Sequence, residues 1–145
     1  MNRKITHSNL IAIILIVTMF AWSGCKKYEE GPAFSLRSKK DRVVGKWKVK
    51  KYLENGTDQT SSLTAVNFRI EFKKDGKAVQ SFSSSMFGTI SEEFRCEFDD
   101  NKEKLIFIFN SGEKEEFKIL RLKHKELWLK QSDGTNVQEL HLVAE

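Results

Sequence analysis

Between Val66 and Lys73 the chain alternates strictly, with Val66, Phe68, Ile70 and Phe72 apolar and Asn67, Arg69, Glu71 and Lys73 polar. A period of two places successive side chains on opposite faces, so the stretch reads as a strand with one dry and one wet face. Asp75-Gly76 follows as a hairpin turn, and Phe94, Cys96 and Phe98 alternate with Arg95 and Glu97 in the same way. Eight candidate strands can be read along the chain: 45–53, 66–73, 77–82, 89–98, 104–109, 114–122, 126–130 and 137–143. The connections after the first are short and rich in turn formers, such as Asn110-Ser111-Gly112 and Asp133-Gly134. No segment shows a helical stripe. The expected fold is all-β, an antiparallel up-and-down barrel of eight strands that removes exposed edges; a two-layer β-sandwich is the alternative.

The alternation begins only at about Val43, and what precedes it has a different logic. Arg3 and Lys4 form a basic start, and Leu10 to Trp22 is apolar apart from Thr18. As a helix this run would rise about 20 Å, short of the ~30 Å hydrocarbon core of a bilayer, so a cleaved export signal is expected rather than a permanent span. Trp22-Ser23-Gly24-Cys25 resembles the lipobox of bacterial lipoproteins. The resemblance implies cleavage before Cys25, a diacylglycerol on its thiol, and a lipid-anchored place in the cell envelope, with the outer membrane as the expected address. On this reading residues 1–24 are the signal peptide, 25–42 a lipidated flexible tether and 43–145 the folded domain. The tether holds the only proline, Pro32, beside Gly31. Lys27-Tyr28-Glu29-Glu30 resembles the short charged signals of surface-exposed lipoproteins and reads equally as a plain charged linker.

The formal net charge of +5 belongs to the leader and tether, because from Val43 onward acids and bases balance one for one. A basic leading segment suits anionic lipid head groups. Nucleic acid as a partner is excluded, since it would need a basic face on the domain.

Gly45-Lys46-Trp47, opening the first strand directly after the linker, matches the G-x-W motif of lipocalins and of the smaller lipocalin-like domains of bacterial lipoproteins. Glu126-Leu127-Trp128-Leu129, the Asp133-Gly134 turn and Leu140-His141-Leu142 resemble the last hairpin of those domains. The chain lacks the Thr-Asp-Tyr motif and paired cysteines of full lipocalins, which points to a short relative. The resemblance implies that Trp47 seals a closed end and that the connection from Glu54 to Ala65 lies over an open one. The segment Ser83 to Gly88 is a second candidate for the rim. A small hydrophobic or amphipathic ligand would then meet the interior through Trp47, Phe68, Phe72, Phe94, Phe98, Phe107, Phe117 and Leu129. The alternative is a barrel filled by its own aromatics, serving as an interaction or scaffold module for an envelope protein partner. Two positions resist assignment: Leu105 to Phe109 is apolar throughout, and Lys51, in phase with Trp47 and Val49, marks a bulge or an open mouth.

No catalytic constellation accompanies this pattern, so an enzyme is not expected. The domain's imidazoles are His124, in a turn, and His141, in phase with an outward face, which gives neither a metal site nor a hydrolase triad. Cys96 faces inward and reads as an inert buried thiol. Asp99 to Glu103 gathers acids without a calcium loop's glycine and distal glutamate and reads as a hairpin turn. Glu92 and Glu93 are adjacent on a strand and face opposite ways. No cofactor is called for.

Overall fold

A computed structural model describes residues 36–145. The segment expected to be an export signal, Cys25 and most of the expected tether lie outside the described residues. The strands are β1 (Gly45–Glu54), β2 (Thr57–Asp58), β3 (Arg69–Phe72), β4 (Lys77–Ser84), β5 (Gly88–Phe98), β6 (Lys104–Ile108), β7 (Lys114–Leu122), β8 (Glu126–Ser132) and β9 (Val137–Ala144), and two short helices are α1 (Lys39–Val43) and α2 (Thr60–Ala65). The sheet runs in the order β2-β1-β3-β4-β5-β6-β7-β8-β9, and β1 also pairs with β9. That last pairing closes an antiparallel up-and-down barrel of eight strands, with β2 as a two-residue addition. The sandwich alternative is excluded by this closure.

Every neighbouring pair is antiparallel, from Gly45 opposite Phe72 to Trp47 opposite Ala144. One end therefore collects the start of β1, the end of β9 and the turns after β3, β5 and β7. We call this the closed end. Its core is solid: Trp47, Phe94, Leu105 and Ile119 are 1% exposed, and Leu122, Leu127 and Leu142 are fully buried. Trp47 donates its indole N–H to the Val43 carbonyl at 2.8 Å, which satisfies the one polar atom of a buried ring. Gly45 has φ of +144°, while a Cβ there would meet nothing nearer than the Trp47 Nε1 at 4.0 Å. Glycine is required at this corner by the backbone angle, not by close packing beneath the strands.

Two departures from the sequence reading, and one position it left open, have local causes. The tether does not stay solvated to Arg42. Ser38 caps α1, its Oγ accepting from the Asp41 amide at 3.0 Å, and Arg42 is buried with a guanidinium N–H on the Leu122 carbonyl at 2.7 Å. A five-residue helix shows no stripe, so its docking was invisible in the pattern. The second strand is shorter than its alternation, starting at Arg69 rather than Val66. Asn67 instead ends α2 in the left-handed region, at φ of +46°, and the amides of Asn67 and Phe68 return to the carbonyls of Thr64 and Leu63. Finally, β1 slips register between Val49 and Lys51. This bulge turns Lys51 outward and Tyr52 inward, resolving the ambiguity at Lys51.

Candidate functional site

Above the solid core, the bore of the barrel opens toward the other end. That end carries α2, the β4–β5 connection and the turns after β6 and β8, and the bore there holds a cavity of about 170 Å³. Phe68, Phe82, Phe107, Phe109 and Phe117 supply its aromatic walls. Leu63, Ile70, Leu129 and Leu140 fill between them, and Tyr52, Gln80, Glu115 and Gln138 are the polar members. Leu63 comes from α2, so the connection from Glu54 to Ala65 does lie over the mouth, as a short hairpin and one helical turn.

The rings form two sets, one centred on Phe107 and the other the pair Phe68 and Phe82. Phe107 packs on Phe72 at 5.9 Å between centroids, on Phe94 at 4.8 Å and on Phe117 at 4.6 Å. Phe94 continues to Phe109 at 5.2 Å, and Phe68 meets Phe82 at 5.0 Å. All are tilted, the arrangement that ring quadrupoles favour. Phe107 is the hub.

Of the eight interior residues expected from the sequence, Phe68, Phe107, Phe117 and Leu129 line this cavity. Trp47 and Phe94 are core beneath it. Phe72 and Phe98 border a different hollow of about 310 Å³ at the closed end, between α1, the β3–β4 turn and β5. That hollow carries Lys40, Lys73, Asp75, Lys77, Arg95 and Glu97 around its apolar floor. A third, of about 560 Å³, lies on the outer face of β6 to β9 among charged side chains, including the Lys104–Glu116 ion pair at 2.7 Å. Of these three, only the bore offers an apolar interior with few polar groups, the usual build of a small-molecule site; a further apolar hollow of about 260 Å³ lies at the rim against Phe82, Phe87 and Ile90.

The sequence reading did not place Tyr52, Gln80, Phe109, Glu115 and Gln138 inside. The bulge hid Tyr52. Gln80, Glu115 and Gln138 were legible by phase alone, being two residues from the inward Phe82, Phe117 and Leu140, but their polarity masked them. Glu115 holds its proton more tightly than an ordinary carboxyl, first through burial and then through the nearby charges of Glu113 and Glu92. Tyr52 is likewise raised, by burial and by Glu54.

The other groups singled out in the sequence lie elsewhere. Cys96 is half-buried, and burial together with Glu97 pushes its thiol up to about 12, so the reactive thiolate is suppressed. On the outer face of β7 to β9, Trp128 stacks on His141 at 3.9 Å with Arg121 at 3.7 Å above its ring, and His141 bonds Glu139 at 2.5 Å. Asp99 accepts from the amides of Glu103 and Lys104 at 2.6 and 2.8 Å, which makes it the pivot of the β5–β6 turn. Among the described residues there is no group of three or more His, Cys, Asp or Glu side chains able to share a metal ion.

A family model described as a lipocalin-like domain matches residues 43–129. The chain belongs to the lipocalin-like domain family. Among solved structures, this lipocalin-like barrel is similar to a lipocalin-like protein from Bacteroides uniformis, with 16% identity and a TM-score of 0.57 over 72% of this chain and 99% of that one. It is similar also to an uncharacterized protein from Bacteroides eggerthii, with 14% identity and a TM-score of 0.56 over 71% and 99% of the two chains. At these identities the likeness concerns the fold. None of the curated proteins compared with it matches the lipocalin-like chain in sequence.

Proposed function

We propose that this lipocalin-like barrel binds a small, largely apolar molecule in its bore, as a non-enzymatic carrier or sensor held at the bacterial envelope by a lipid on Cys25. The observation that carries the reading is the aromatic cavity above a solid closed end. A volume of about 170 Å³ is below the ~300–1,000 Å³ of drug-sized sites, and close to the ~150 Å³ of an apolar cavity that takes up benzene. The occupant is therefore of single-ring size, or a larger molecule that leaves part of itself in the mouth. Native mass spectrometry of the chain from Lys26 onward, followed by solvent extraction, tests this; the closed sheet and its core lie wholly within residues 36–145. A small molecule retained in stoichiometric amount supports the reading. A clean apo mass that persists after incubation with single-ring apolar compounds defeats it.

The envelope address rests on the lipobox-like segment ending in Cys25. Cys25→Ala in the full chain, expressed in a Gram-negative host, is expected to abolish incorporation of labelled fatty acid and to move the protein out of the washed membrane fraction. Unchanged labelling would remove the anchor. A second reading, an interaction module, has its own observation: Met86, Phe87 and Ile90 are 82%, 77% and 63% exposed at the rim, in a hairpin without a charged residue from Ala78 to Ser91. Cross-linking through that tip distinguishes it, since a carrier needs no protein bound there.

A further inference from the structure

Resting on the interior-ligand reading, the chemistry of the cavity narrows the kind of molecule it suits. β7 alternates inward at Glu115, Phe117 and Ile119, so the Glu115 carboxyl is carried into the mouth rather than out to solvent. Several other acids of this barrel find bases. Glu93 takes Lys73 and Lys77, Glu126 takes Arg121, and Glu116, one residue along, takes Lys104. Among the described residues the Glu115 side chain has neither an ion pair nor a hydrogen bond. Nor can a neighbour supply one from the lining: no Lys or Arg borders the cavity, in a chain that holds 25 of them.

The groups that face Glu115 are instead acidic, neutral or aromatic. Glu113 lies on the turn leading into its own strand, and Glu92 on β5 is held by the Gln80 amide at 2.8 Å. Tyr52 on β1 and Gln138 on β9 are neutral, and the flanking strands β6 and β8 present Phe107 and Leu129. A half-buried carboxylate beside a second acid, with ring faces around it, repels anions and attracts a cation twice over, by charge and by the ring quadrupoles. We propose that the ligand is an amine carrying an apolar, single-ring or similarly sized body: the body sits among the phenylalanines and its ammonium group pairs with Glu115 at the mouth.

Three probes of one shape separate the terms: benzylamine, benzyl alcohol and benzoate, titrated calorimetrically at neutral pH into the chain from Lys26 onward. The expected order is amine first by at least tenfold, alcohol second, benzoate weakest. Glu115→Gln is expected to bring benzylamine down to the alcohol's affinity and to leave the alcohol unchanged, while Glu115→Asp keeps the amine preference. Lowering the pH should erase that preference at a less acidic point than for an ordinary carboxylate, because burial, Glu113 and Glu92 all favour the protonated form. Equal binding of amine and alcohol overturns the amine assignment while the interior-ligand reading stands. Failure of all three probes overturns both.

Discussion

Trp47→Ala should cost about 3–5 kcal/mol of folding stability, the usual penalty for emptying a large buried aromatic site. Against a typical total of ~5–15 kcal/mol this removes most of the margin of a small domain. Two losses add. The ring is 1% exposed at the closed end, and its N–H is the partner of the Val43 carbonyl at the end of α1. Trp47→Phe separates them, because it keeps much of the packing and leaves only that carbonyl without its donor, about 1–3 kcal/mol. Urea denaturation followed by far-ultraviolet circular dichroism reads both variants. A loss under ~1 kcal/mol for Trp47→Ala would refute the role of this ring as the plug of the closed end.

Phe107→Ala tests the other end of the bore. Phe107 is 4% exposed and touches Phe72, Phe94 and Phe117 while also lining the cavity. Truncation is expected to lower stability by about 3–5 kcal/mol and to enlarge the cavity by the volume of the ring. The two effects are linked through ligand. A molecule that fills the enlarged bore should return part of the loss, at ~2.7 kcal/mol when present at a hundredfold excess over its Kd. Thermal denaturation with and without a two-ring probe such as naphthalene measures this. The variant should gain more from the probe than the unmodified chain does; an equal gain in both would place the binding outside the bore.

How far the sequence reveals this fold is best seen strand by strand. Where apolar and polar residues alternate cleanly, as from Phe68 to Phe72 or from Phe94 to Phe98, the faces follow from period two. In the continuous apolar run from Leu105 to Phe109 no pattern could decide, and the register opposite β5 and β7 does so, burying Leu105 and Phe107. The preference for a barrel over a sandwich came from the economy of removing exposed edges, and the pairing of β1 with β9 bears it out. The site was only half legible. Its aromatic walls follow from phase, but its polar members are the residues that hydrophobic patterning discards, and Glu115 looks like one more surface acid until the strand is laid into the barrel. Tyr52 was hidden by a bulge, a device that shifts phase by one residue and leaves no reliable sign in composition. Likewise α1 and α2 are too short for periodicity to show, and their docking depends on single bonds, such as Arg42 to the Leu122 carbonyl.

The pairing of β1 with β9 also sets the order of events in making the molecule. These strands stand about a hundred residues apart, and synthesis at ~5–20 residues per second leaves the first without its closing partner for roughly 5–20 s. Through that interval the Trp47 end cannot be sealed, and the nascent chain must remain open, with its hairpins formed only locally. Long-range closure of this kind folds slowly. A chain that cannot lock itself before its last strand emerges is, for that same interval, one that can still be threaded through a pore.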